Sequence, residues 1–156
     1  MSQACVTCQR SECDSISGSF LASCKTGELD RLSAAITLGV NVNVTNTQDT
    51  YKYQIGMTGL MLGIRNNQPG VVDLLLDQPD IAKNQKVTAA GAGAPGMTAL
   101  QVAGGGGRPW AVARLGREEG LEVNSHGWDG LTPLTSAAAN GITPVSPLPL
   151  YLPQAA

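Results

Sequence analysis

Apolar positions along this chain recur at helical spacing rather than in alternation. Leu60, Met61 and Ile64 form a short stripe, Asn66-Asn67-Gln68-Pro69 interrupts it, and Val71, Val72, Leu74, Leu75 and Leu76 form a second. Pro79-Asp80 stops the second stripe, and a polar stretch from Lys83 to Lys86 follows. The pattern predicts two short helices joined by a turn. Thr58 stands where its hydroxyl can accept a backbone N–H at the start of the first helix. The same succession precedes it: Phe20-Leu21-Ala22-Ser23-Cys24 for one helix, Gly27 for the turn, and Glu28 to Leu38 for the next.

A phrase marks each succession. It reads GMTGL at Gly56–Leu60, GMTAL at Gly96–Leu100 and GLTPL at Gly130–Leu134, with spacings of 40 and 34 residues. Self-similarity at a period of 20–50 residues indicates stacked copies of one supersecondary unit. Gly27, Asn67, Gly107 and Gly141 then occupy one inter-helix turn, 40, 40 and 34 residues apart. A unit ending appears as Gly39-Val40-Asn41-Val42-Asn43 and again as Gly120-Leu121-Glu122-Val123-Asn124.

These residues resemble the ankyrin repeat, whose units run near ~33 residues. Gly130-Leu131-Thr132-Pro133-Leu134, with Ala137-Ala138-Ala139-Asn140-Gly141 behind it, matches the first half of the family pattern. The resemblance covers residues 19–141 and implies an all-α fold: an ankyrin-type helix–turn–helix repeat solenoid with projecting loops. The units fall at 19–55, 56–95, 96–129 and a partial 130–141, after a flexible Cys-containing N-terminal tail over 1–18 and before a Pro-rich C-terminal tail over 142–156. Pro144, Pro147, Pro149 and Pro153 exclude a second helix from the fourth unit.

The chain departs from the family in three places. The family histidine is replaced by Met61, Gln101 and Thr135, which implies loss of its hydrogen bonds between neighbouring loops. Residues 87–95 read as an inserted, mobile segment. Gly104 to Gly106 fall where a helix should end, and glycine costs ~1 kcal/mol against alanine inside a helix. Replacing Gly104 and Gly105 by alanine is therefore expected to stabilise the protein.

Composition narrows the function. The chain has 156 residues, enough for one sizeable core. A net charge of -2, with its ten Lys and Arg scattered, gives no electrostatic case for nucleic acid or an anionic membrane. No apolar run approaches the ~18 residues of a membrane span. The polar opening MSQACVTCQRSECDS lacks the apolar middle of a secretory signal, so the chain reads as intracellular, cytoplasmic or nuclear.

Chemistry-bearing patterns are few. Gly91-Ala92-Gly93-Ala94-Pro95-Gly96 fits G-x-G-x-x-G, but a dinucleotide site needs a buried strand ahead of it, and Ala82–Lys86 is too polar for one. Cys5, Cys8, Cys13 and Cys24 hold only one close pair, where a zinc site wants two. His126 is the only histidine and lies in a loop; Glu118-Glu119 reads as a solvated face. The reading is of no enzyme, no metal and no cofactor.

The resemblance implies a non-catalytic module for binding other proteins through a concave face: an adaptor, scaffold or inhibitor, monomeric, with an unidentified protein partner. Aligning the units assigns to that face Tyr53 and Gln54, Met57, Arg65 and Asn66, Met97, and Trp128, Asp129 and Leu131. An alternative from a different class is a small nucleotide-binding or redox enzyme using Gly91–Gly96 or the Cys5/Cys8 pair. A further alternative is a degenerate fragment of a longer repeat protein.

Overall fold

The computed structural model describes residues 10–47, 55–88, 95–127 and 129–139. Among these the fold is all-helical. Its helices are α1 (Arg10–Thr26), α2 (Leu29–Thr37), α3 (Gly59–Arg65), α4 (Pro69–Leu76), α5 (Ala99–Gly105), α6 (Pro109–Leu115) and α7 (Pro133–Ala139). None is long and apolar enough to cross a membrane. The only extended pairing among the described residues is an isolated antiparallel bridge between Thr45 and Thr58.

The helices form two contacting rows. α1, α3, α5 and α7 touch in succession, α2, α4 and α6 touch in succession, and each pair α1–α2, α3–α4 and α5–α6 packs internally. Between the rows lies one core of aliphatic residues with Phe20 as its single phenylalanine; Leu32, Leu62, Ile64, Val71, Leu75 and Leu115 are wholly buried there. Cys24 joins it, and burial pushes its thiol up to about 12, because the thiolate would lose its water.

The helix limits follow local chemistry. Thr58 and Thr98 hydroxyls accept the amides of Met61 and Gln101 at the starts of α3 and α5. Pro69 and Pro109 open α4 and α6, where a missing N–H costs nothing. The turns within the pairs bend at Gly27, Asn67 and Gly107, all with positive φ; asparagine is the side chain that tolerates that region best.

α1 begins at Arg10 rather than at residue 19. Residues 10–18 were expected to belong to the tail; they are helix, and Ile16 packs against the core. The expected C-terminal tail and residues 1–9 lie outside the described residues.

Two glycines mark close approaches between neighbouring helices of the α1–α3–α5–α7 row. A Cβ on Gly59 would lie 2.9 Å from both Cys24 Sγ and Phe20 Cε1, and one on Gly104 would lie 2.9 Å from the Pro133 carbonyl oxygen. By position within their helices, Gly104 is the counterpart of Cys24, and Pro133 the counterpart of Gly59. The bare backbone has changed sides of the contact between the first pair of helices and the last.

Candidate binding edge

Three loops lead into α3, α5 and α7, and one hydrogen-bonded pattern closes the base of each. The Asn46 amide donates to the Met57 carbonyl at 2.8 Å and the Gly56 amide to the Asn46 carbonyl at 2.6 Å. The Val87 amide donates to Met97 at 2.9 Å and the Gly96 amide to Val87 at 2.8 Å. The Gly127 amide donates to Leu131 at 3.1 Å and the Gly130 amide to Gly127 at 3.0 Å.

Val87 is therefore an anchor and not part of an insertion. Its side chain is buried and both its backbone groups are engaged. The expected inserted stretch of 87–95 begins after it; residues 89–94 lie outside the described residues. The glycine pattern at Gly91–Gly96 is preceded by turns and irregular backbone over 83–88, not by a strand.

Asparagines tie each loop to the next. Asn43 donates through Nδ2 to the Asp80 carbonyl at 2.8 Å and accepts the Ala82 amide at 2.7 Å. Asn84 repeats this with the Gly120 carbonyl at 2.7 Å and the Glu122 amide at 2.8 Å.

Gln101 adds a bond where the sequence led us to expect a loss. Its Nε2 donates to the Leu131 carbonyl at 2.7 Å, linking the α5 and α7 loops, while its Oε1 accepts the Thr98 amide at 2.9 Å. Its side-chain amide thus makes a bond between neighbouring units that the sequence reading expected to be missing. Met61, in the corresponding place, is core, and Thr135 bonds locally with Thr132.

The expected surface residues separate into groups. Met97, Asp129 and Leu131 come together around Gly127: a Cβ there would lie 3.4 Å from Met97 Cγ and 3.1 Å from Asp129 Oδ1, and Leu131 shares its backbone bond. Asp129 is exposed, whereas Met97 and Leu131 are half-buried. Met57 is a correction: it is 1% exposed and part of the core. Its long apolar side chain gains more inside, beside the start of α3, than it could at a wet surface. Tyr53, Gln54 and Trp128 lie outside the described residues.

Arg65 and Asn66 sit at the opposite end of α3 from the loop bases, Arg65 exposed and Asn66 half-buried with its Nδ2 on the Leu62 carbonyl at 2.8 Å. Their neighbours are residues the sequence reading passed over. The Arg108 guanidinium donates through Nη2 to the Arg65 carbonyl at 3.3 Å, and Trp110 Nε1 donates to Asn67 Oδ1 at 2.8 Å. Gln68 Nε2 bonds the Lys25 carbonyl at 3.3 Å in the same manner as Arg108 bonds Arg65. Trp110 was findable: Pro109-Trp110 repeats Pro69-Gly70, and a large ring replacing glycine at a helix start has to find a new neighbour.

Glu118 is not a solvated face. Its side chain is only 16% exposed, with Oε2 at 2.7 Å from Lys83 Nζ and Oε1 at 2.6 Å from Arg114 Nη1. Arg114 Nε also reaches Asp73 at 2.7 Å, so the network joins α4 to α6. The Lys83 ammonium, aided by Arg114, holds the Glu118 carboxyl below the usual carboxylate range. Glu119 beside it is exposed.

Among the described residues no group of three or more His, Cys, Asp and Glu side chains could hold a metal. Cys24 is walled into the core, and Cys5 and Cys8 lie outside the described residues. No protein-family model matches the chain, and no curated protein sequence is similar to it.

Proposed function

We propose that this protein is an ankyrin-type stack of about three and a half units that binds another protein through its loops and the α1–α3–α5–α7 row, without catalysis. The carrying observation is the hydrogen-bonded loop base that recurs ahead of α3, α5 and α7. Three loop bases built alike beside touching helices lie in one series, an arrangement suited to a broad contact. Asp129, Leu131 and Met97 supply a mixed polar and apolar patch at one end, and Arg65 an exposed cation at the other end of α3. Arginine and tryptophan are the side chains that most often dominate contact energy, ~2 kcal/mol or more each.

The test is affinity capture with intact bait and three single variants, scored against one recovered partner. Arg65→Ala and Trp128→Ala should each reduce capture by ~30-fold. Glu119→Ala, on the far row, should leave it unchanged. Loss confined to Glu119→Ala would place the contact on the opposite side and end this assignment.

A further inference from the structure

The two rows of helices are unequal. One holds α1, α3, α5 and α7, the other α2, α4 and α6, and α7 alone lacks a second helix of its own among the described residues. Leu134 shows the consequence. It is 37% exposed, although its counterparts Leu60 and Leu100, at the same place in α3 and α5, are 1% and 4% exposed. Thr135, Ala138 and Ala139 are exposed with it, and positions 134, 135 and 138 lie on one side of a helix. That side carries no charge. Its one polar side chain is already engaged: the Thr135 hydroxyl accepts the Thr132 amide at 2.7 Å and donates to the Thr132 carbonyl at 3.0 Å. Covering this side therefore strands no side-chain hydrogen-bonding group.

We propose that a second copy of this chain covers it, through a two-fold axis that sets the two α7 helices side by side. Tight turns join α1 to α2, α3 to α4 and α5 to α6, so each pair runs antiparallel. A helix filling the place beside α7 must run antiparallel to it as well. A two-fold axis across the helices reverses their direction and supplies that helix: α7 of the second copy. It has the right form for the place. It is seven residues long and opens with Pro133, as α6 is seven residues long and opens with Pro109. The pairing is reciprocal, each α7 standing as second helix to the other. The longer row of one copy then runs on into the shorter row of the other, and both rows become equal in length. An antiparallel pairing centred on the exposed side puts Leu134 of each copy against Ala138 of the other, a large side chain over a small one. This dimer replaces the monomer expected from the sequence, and it is independent of any partner held at the loops.

The test is sedimentation of the full chain, kept reduced. One short helix and its flank from each copy make a contact below the ~1,200 Å² of a standard interface, so the dimer should be weak, with a Kd on the order of 10 μM. A monomer–dimer equilibrium should therefore appear between about 1 and about 300 μM. Leu134→Lys and Ala138→Asp should each weaken the dimer at least ~tenfold, because each buries an unpaired charge. Mixed in equal amounts, the two variants should form a heterodimer, in which the new ammonium of one copy meets the new carboxylate of the other. That recovery also shows that both variants fold. Leu38→Lys, at a leucine 64% exposed just past α2, should leave the dimer unchanged. A monomer at every concentration overturns the proposal, and so does a dimer that both α7 variants leave intact. A mixture no more dimeric than its components overturns the two-fold pairing. A monomeric parent whose Leu134→Lys variant melts lower at every concentration would assign the space to the chain's own remaining residues, and the proposal would fail.

Discussion

Gly104 shows how little a residue type reveals without its neighbours. Inside a helix, glycine to alanine gains ~1 kcal/mol. Here the added methyl meets the Pro133 carbonyl oxygen at 2.9 Å, and a backbone atom cannot turn aside as a side chain can. Overpacking of this kind costs ~1–3 kcal/mol, so Gly104→Ala is expected to lower the melting temperature, against the stabilisation that propensity alone suggests. Glu118 carries a second prediction. Its carboxyl is held low by Lys83 and Arg114, so its contribution to stability is complete above the ordinary carboxylate value of ~4.3 and is lost as the pH falls through the lower folded value. Glu118→Gln should be less stable than the parent at neutral pH, and the gap should narrow on acidification, as followed by denaturant melts at several pH values. A gap that widens in acid would contradict the sign. Neither residue was legible beforehand: Lys83 is 35 positions from Glu118, and Pro133 is 29 from Gly104.

Helix starts were the legible elements. Thr58, Thr98, Pro69 and Pro109 announce them, because capping and a fixed φ act within a turn of the chain. The start of α1 was not legible. Ser11, Asp14, Ser15, Ser17, Gly18 and Ser19 read as loop by propensity, and the tertiary contact made by Ile16 outweighs them. At this scale α5 depends on Gln101, which completes a reciprocal cap with Thr98 and reaches the Leu131 carbonyl. Gln101→Met keeps the volume of the side chain and removes all of its bonds. It should cost ~1–3 kcal/mol and speed hydrogen exchange in the α7 loop, while Met61→Leu, a swap of similar volume in an apolar site, should cost under ~1.5 kcal/mol. Similar losses for the two variants would mean that the amide contributes only bulk.

At the scale of the molecule, the unequal spacings of 40 and 34 have a single source. From Gly56 to Val87 and from Gly96 to Gly127 the chain runs 31 residues in both cases, whereas the closing loops hold eight residues, 88–95, and two, 128–129. The extra length lies outside the helices and their bases. Replacing 88–95 by a two-residue Asn-Gly link should therefore leave the helical circular dichroism unchanged and shift the melting temperature little, since loop closure varies slowly with length. Loss of helix on shortening would show that the longer loop supports its neighbours. The sequence reading located this loop and the helical class, but it joined Arg65 and Met57 to one surface. Equivalent positions in a chain share a place along the backbone; burial is decided by what the adjacent row supplies.

The asparagine links also have a direction. Each belongs to the earlier stretch of chain and holds a later one, Asn43 the backbone at Asp80 and Ala82, Asn84 that at Gly120 and Glu122. A chain made from its N-terminus, at ~5–20 residues per second, exposes each asparagine seconds before the backbone that satisfies it exists. Every helical pair finished on the ribosome thus offers a ready-made receptor to the pair still being synthesised, and assembly has an arrow that the finished molecule no longer displays.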